Sequence, residues 1–90
     1  MVFNWNDEKN EHLKKTRNIS FEKIVIAIEN DEILDVLENK SPQYKDQIII
    51  VVNIEDYAYA VPTVIKENEY FLKTIFPSRK YTEIYLSKEK

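Results

Sequence analysis

Apolar and polar positions at the start of the chain predict a surface helix. Asn6 is a favourable N-cap, and acidic residues follow it at the positive end of a helix dipole. A helix is therefore predicted from Asp7 to Arg17, with a thin apolar face around Leu13. Asn18 ends it, because asparagine tolerates the left-handed conformation that glycine usually takes at a helix C-terminus.

The next segment carries a stronger helical pattern. Ser20 is a favourable N-cap, and four apolar residues after it recur at helical spacing. They are Phe21, Ile24, Val25 and Ile28. A second helix that buries one face is therefore predicted from Phe21 to Asn30.

From Ile33 onward the apolar period becomes that of β-strands. Strands are predicted at Ile33 to Leu37, Gln47 to Ile54, Tyr57 to Ile65 and Tyr70 to Phe76, with a polar loop at 39–46. The unbroken β-branched run makes Gln47 to Ile54 the predicted central strand, buried on both faces. Short connections predict an antiparallel meander. Pro62 has no N–H to donate, so we expect a bulge or an edge there.

The predicted fold is α+β, with two N-terminal helices packed on a four-stranded antiparallel sheet. A short C-terminal helix from Arg79 to Leu86 follows Pro77 and Ser78. Residues 1–90 are enough for one domain with a modest core.

Composition narrows the function classes. The chain has no cysteine, which excludes disulfides, thiolate metal sites and a cysteine nucleophile. It has no glycine, which excludes a glycine-rich phosphate loop, so positions of positive φ are expected to fall to asparagine or aspartate. There is no apolar run long enough to span a membrane, and the N-terminus does not resemble a signal peptide. We therefore expect a cytoplasmic protein without a membrane partner.

The only histidine does not predict a metal centre. His12 and Glu8 share a face of the first predicted helix, but two ligands from one helical turn do not complete a site. A solvated pair is the simpler interpretation, so no metal and no cofactor are expected.

Tyrosines beside basic residues are the best candidates for chemistry. Tyr57 alternates onto one face of its strand, and Tyr81 and Tyr85 stand four residues apart on the last helix. Arg79 and Lys80 occupy the first turn of that helix, where cations are unfavourable, and an anion site would explain them. Tyrosines can stack on bases, and cations can stabilise a phosphorane. The simpler alternatives are tyrosines that close the sheet core and a surface pair of cations; the net charge of −3 argues against broad nucleic-acid binding.

Three motifs follow one another along the chain. They consist of Phe3, Trp5, Asn6, Lys9 and Asn10, then Ile19 to Lys23, then Pro77 to Thr82. In this order they resemble the BrnT-type toxins, relatives of the RelE-like ribonuclease toxins. That family opens with Phe-x-Trp-Asp and a Lys-Asn helix, continues with Val-Ser-Phe-Glu-Glu, and ends in Ser-Ala-Arg-Lys-Ala-Thr. Two positions depart from the family: Arg17 replaces the histidine of Lys-His-Gly, and Asp46-Gln47 replaces a Glu-Arg pair.

The resemblance implies the toxin component of a type II toxin–antitoxin system. Such a toxin cleaves RNA, on or off the ribosome, is neutralised by an antitoxin encoded beside it, and reaches promoter DNA only through the antitoxin. The expected catalytic residues of this metal-independent endoribonuclease are Arg79, Lys80 and Arg17. The expected RNA-binding residues are Lys9, Lys15, Tyr57, Tyr81 and Tyr85. The alternative is a protein-interaction module without catalysis, a degenerate toxin that retains only antitoxin binding.

Overall fold

Helices and strands of the computed structural model form an α+β fold over the residues that it describes, 2–38 and 46–87. The strands are β1 (Val2–Trp5), β2 (Ile33–Glu38), β3 (Gln47–Ile54), β4 (Tyr57–Lys66), β5 (Glu69–Leu72) and β6 (Phe76–Pro77). The helices are α1 (Asp7–Arg17), α2 (Phe21–Glu29) and α3 (Arg79–Leu86). The predicted loop at 39–46 lies outside the described residues except for Asp46.

Each helix begins where a capping side chain predicts it. In all three, the cap oxygen accepts a hydrogen bond from the backbone N–H three residues later, which satisfies a donor that has no intrahelical partner. These bonds are Lys9 N to Asn6 Oδ1 (2.9 Å), Lys23 N to Ser20 Oγ (3.2 Å) and Tyr81 N to Ser78 Oγ (3.0 Å). Asn18 ends α1 in the left-handed region with φ 54°.

The sheet has the order β1-β5-β4-β3-β2, and β6 also pairs with β4. The predicted antiparallel meander, which starts at β3, is confirmed through β5, and β2 pairs with β3 in the antiparallel direction, as the predicted sheet requires. The prediction of a purely antiparallel four-stranded sheet is wrong, because β1 pairs in parallel with β5 and makes the sheet mixed. For the same reason β4 lies in the middle, and β3, the predicted central strand, lies one strand from the edge.

The last predicted strand, Tyr70 to Phe76, is split into β5 and β6 at a point that lies opposite Pro62 of β4. Three residues, 73–75, separate β5 from β6, and they lie opposite two residues of β4, Val61 and Pro62. The Pro62 carbonyl accepts a hydrogen bond from Lys73 N (2.8 Å) across this gap. The missing N–H of Pro62 therefore faces an irregular stretch of its neighbour, and the predicted bulge is confirmed.

Helices α1 and α2 pack on one face of the sheet. Their buried apolar residues Leu13, Phe21, Ile24 and Ala27 join residues of three strands and of the β5–β6 connection in one cluster. The sheet side of that cluster is formed by Ile50, Val52, Val61, Leu72 and Ile75. Trp5 stacks on Phe21 with ring centroids 5.6 Å apart, which joins β1 to the start of α2.

Helix α3 lies on the opposite face. Val51, Ala58 and Ala60 point to that face and are fully buried. The two alanines allow α3 to approach closely, and Thr82 Oγ1 accepts a hydrogen bond from Ala58 N (2.8 Å). The Tyr85 hydroxyl reaches across to Asp35 on β2. The sheet is therefore covered on both faces.

Left-handed backbone falls to more residue types than expected. Asn18, Asp31 and Asp56 have positive φ, as the absence of glycine predicts. Glu55 (φ 54°) and Glu67 (φ 55°) also do, so the restriction to asparagine and aspartate is wrong. Both glutamates lie in two-residue hairpin loops, where the twist of the flanking strands demands positive φ whatever the side chain.

Candidate functional site

Arg79 and Lys80 lie where β6 passes into α3. Pro77 ends the pairing with β4, the N–H of Ser78 donates to the Ala58 carbonyl (2.9 Å), and the Ser78 side chain then caps α3. The two cations are thus the first two residues of the helix, and both are exposed. A helix N-terminus disfavours cations, so their position does not stabilise α3.

Neither cation is neutralised by a neighbour. Within residues 2–38 and 46–87, Arg79 makes no hydrogen bond or ion pair, and Lys80 Nζ lies 6.0 Å from the ring centroid of Tyr81. This distance is at the outer limit of a cation–π contact. Both side chains are therefore available to an anion, and the free backbone N–H groups at the start of a helix also favour anions.

Arg17 reaches the same edge of the sheet from α1. Its Nη1 donates a hydrogen bond to the carbonyl of Ile75 (2.8 Å), which points away from β4. Arg79 is four positions after Ile75 in the sequence, and that length of extended chain spans at most about 14 Å. The structure thus brings the three predicted catalytic residues to one edge, around the β6–α3 junction. Arg17 also has a structural role there, since it satisfies a carbonyl of the broken strand.

Tyr81 and Tyr85 form a ring pair on α3, with centroids 6.1 Å apart. Tyr81 lies beside Lys80 and is half-buried. Tyr85 donates its hydroxyl hydrogen bond to Asp35, and that bond, with burial and the carboxylate charge, raises the pKa of Tyr85. Its hydroxyl is therefore already used to hold α3 against β2, while Tyr81 remains free to contact a ligand.

The other predicted RNA-binding residues do not join this edge. Lys9 is in the first turn of α1, about 12 Å along the helix from Arg17. Lys15 is exposed, but residues two apart on a helix point in different directions, so it does not lie beside Arg17. Tyr57 is on the face of the sheet that α1 and α2 cover, and the centroid of its ring is 5.9 Å from that of Tyr59. Helix α3 is on the other face.

Phe76 belongs to this edge and was not predicted. It is 39% exposed in β6, three residues before Arg79, and it pairs with Ala60 on the α3 face. An exposed aromatic ring near two free cations suits a nucleobase. The sequence offered one signal: Phe76 directly follows Ile75 at the end of the last predicted strand, so the two side chains point to opposite faces of the sheet.

Metal chemistry has no candidate centre in the part of the chain that the structure describes. No group of three or more histidine, cysteine, aspartate or glutamate residues there is arranged to hold an ion. No helix among those residues has the length and apolar character needed to cross a membrane.

Comparison of the chain with protein-family models, with curated proteins and with solved structures finds no match.

Proposed function

We propose that this protein is the toxin component of a toxin–antitoxin pair and that it cleaves RNA at the β6–α3 junction. One observation carries the proposal. Arg79 and Lys80 stand exposed and without a partner among the described residues, at a position where they weaken the helix that bears them. A bound phosphate would turn this unfavourable placement into a favourable one.

The chemistry needs charge stabilisation and proton transfer but no metal. The 2′-oxygen of a ribose attacks the adjacent phosphorus, the bond to the 5′-oxygen breaks, and a cyclic phosphate and a 5′-hydroxyl result. The proton of the 2′-hydroxyl passes to a base, and the departing 5′-oxygen takes up a proton. Arg79 clamps two phosphate oxygens with its planar guanidinium, and Lys80 adds a point charge as the phosphorane forms.

Arg17 and two rings complete the proposed site. Arg17 approaches from α1 and adds positive charge on the side of the Ile75 carbonyl. Tyr81, beside Lys80, stacks on a base next to the scissile phosphate, and Phe76 offers a second ring at the same edge. The proposed antitoxin covers the edge around Arg17 and Arg79 and supplies acidic side chains, since opposite charge speeds association.

The test is to induce the chain alone in bacteria and to measure growth and the integrity of total RNA. The parent is expected to arrest growth and cut RNA. Arg79→Ala is expected to lower the cleavage rate by about 10²–10³, and Arg79→Lys to lower it less, because lysine keeps the charge but loses the bidentate geometry. Lys23→Ala is the matched control, since Lys23 is an exposed cation on α2.

Two outcomes decide against this mechanism. Growth arrest by the Arg79→Ala,Lys80→Ala variant at the level of the parent would place the site elsewhere. A parent chain that neither arrests growth nor cuts RNA, while its far-UV circular dichroism shows a folded protein, would remove the catalytic role.

A second candidate is a protein-interaction module without catalysis. It is favoured by the fact that two residues predicted from the sequence as site residues already have structural partners: Arg17 bonds to the Ile75 carbonyl, and Tyr85 bonds to Asp35. This candidate predicts an inactive chain that still co-purifies with the product of the neighbouring gene.

A further inference from the structure

Among the described residues, strand β2 leaves one edge of the sheet open. It is the terminal strand of the sheet order, so only one of its sides pairs, with β3. Backbone groups of an antiparallel strand point alternately to the two sides, and those of Val36 point outward. The Val36 N–H donates to Oδ1 of its own neighbour, Asp35 (2.7 Å), and not to another strand. An unpaired edge of this kind is a template for another strand.

An apolar groove lies beside this edge on the face covered by α1 and α2. Its volume is about 240 Å³, and its wall includes Ile33 and Val36 of β2, Ile50 of β3 and Tyr70 of β5. Ile33 is 41% exposed and Val36 48% exposed, although both point to the face that carries the core. Apolar side chains of an added strand would cover them.

The segment that forms this edge and leads into it is acidic, with Asp35 and Glu38 on β2 and three more carboxylates between the end of α2 and β2. Residues 29–38 contain five carboxylates and no basic residue, within a chain whose net charge is only −3. The five are Glu29, Asp31, Glu32, Asp35 and Glu38. A partner that lies along β2 therefore needs lysine or arginine between its apolar residues, because opposite charges across paired strands stabilise and like charges destabilise.

We propose that β2 and its groove bind an extended segment of a partner protein by strand addition. The segment places alternate apolar side chains in the groove and lysine or arginine side chains against the acidic rim. A second copy of this chain does not fit, because its own β2 would set carboxylates against carboxylates. RNA does not fit either, because its phosphates would meet the same carboxylates.

This surface is separate from the β6–α3 junction. Strands β3 and β4 lie between β2 and β6. The cations of the junction are therefore separated from the β2 edge by the width of these two strands. The inference therefore does not depend on catalysis. It does involve Asp35, whose two oxygens hold Val36 N–H and the Tyr85 hydroxyl. A partner strand that takes the Val36 N–H replaces only the first of these bonds.

The test uses the full chain labelled with ¹⁵N and a synthetic peptide of sequence Lys-Val-Lys-Ile-Arg-Val-Lys. Titration is expected to give saturable amide shifts in β2 and in the groove. The same peptide with glutamate in place of its basic residues, or with N-methylated amides on the pairing side, is expected not to bind. These two controls separate the charge requirement from the backbone requirement.

Matched variants of the chain sharpen the result. Val36→Asp places a charge in the groove, and Glu38→Lys reverses one charge of the rim; each is expected to weaken binding about tenfold. Glu38→Lys is an exposed change that keeps the chain folded. Ile84→Asp, at an apolar residue that is 58% exposed on α3, is expected to leave binding unchanged.

Three results would overturn the proposal. One is the absence of saturable shifts in β2, and another is equal binding of the basic and acidic peptides. The third is formation of a dimer of the chain alone, detected by sedimentation, with amide shifts along β2, because it would make a second copy the occupant. Loss of RNA cleavage in the Arg79→Ala variant has no bearing on these readouts, so the two proposals fail independently.

Discussion

Asn10 joins the first two helices, and its removal should be among the most destabilising single changes on α1. Its side chain is only 3% exposed. Its Oδ1 accepts a hydrogen bond from the backbone N–H of Phe21 (2.8 Å), and its Nδ2 donates to Glu22 Oε1 (2.9 Å). Asn10 therefore satisfies one of the free N–H groups at the start of α2, in addition to the Ser20 cap.

We expect Asn10→Ala to lower the free energy of unfolding by about 1.5–4 kcal/mol. The Phe21 N–H would lose its acceptor in a buried position, which costs about 1–3 kcal/mol. Loss of the bond to Glu22 adds about 0.5–1 kcal/mol, since that carboxylate is exposed and returns to water. Urea unfolding followed by circular dichroism at neutral pH measures the difference.

Two variants control this experiment. Glu11→Ala removes an exposed ion pair with Lys14 (3.3 Å) on the same helix and is expected to cost less than about 0.5 kcal/mol. Asn10→Asp keeps an acceptor for Phe21 but sets a carboxylate against that of Glu22, so it should be destabilising at neutral pH and should recover part of its stability as the pH falls.

The effect has a defined pH dependence. The hydrogen bond from Asn10 lowers the pKa of Glu22 below its ordinary value of 4.5. A lowered folded-state pKa gives stability that is present above the unfolded-state pKa and is lost as the pH falls through the folded-state pKa. The difference in free energy of unfolding between the parent and Asn10→Ala should therefore become smaller below about pH 4. The contribution of the hydrogen bond to the Phe21 N–H should remain. A loss under about 1 kcal/mol at neutral pH, or a gap that widens on acidification, would refute this account of Asn10.

Three further predictions follow from the strands. Glu55→Asn,Asp56→Gly should raise the free energy of unfolding by about 1 kcal/mol, because both residues have positive φ in a two-residue hairpin; unchanged stability in urea would contradict this. Ile50→Ala should cost about 2–4 kcal/mol and Ile50→Val about 1 kcal/mol by the same assay, and equal costs would mean that this core position is misassigned. The raised pKa of Tyr85 should return towards its ordinary value in Asp35→Asn when followed by ultraviolet absorbance. In the parent, the Tyr85–Asp35 bond stabilises the fold below about pH 10, and this contribution is lost as the pH rises through the raised pKa of Tyr85. A parent in which no tyrosine titrates above the ordinary range would exclude the bond.

The sequence by itself determined the local elements. The bounds of α1, β3 and α3 agree with prediction. Those of α2, β2 and β4 differ from prediction by about one residue at their ends, and the last predicted strand is split into β5 and β6. The reason is that a capping side chain, an apolar period and a breaker act over only a few residues. The caps Asn6, Ser20 and Ser78 each bond within three residues of themselves.

The candidate site was predictable only in part. Arg79 and Lys80 could be named because an unfavourable position on a helix is a local property. That Arg17 reaches the same edge depends on a hydrogen bond to Ile75, 58 residues away. The sequence also could not predict that Lys9 and Tyr57 lie away from the β6–α3 junction. Their distance depends on which end of α1 and which face of the sheet they occupy.

Only the tertiary structure decided how the elements meet. The sequence marks Phe3 and Trp5 as alternating aromatic residues, but β1 becomes a strand because Phe3 pairs with Tyr70 on β5. Likewise, α3 crosses the far face because Ala58 and Ala60 leave room there. A strand pairing of high sequence separation closes a long loop, and its free energy is set by the partner surface and not by local propensity. Local pattern therefore determined the pieces, while long-range pairing determined the mixed sheet, its open β2 edge and the cationic junction.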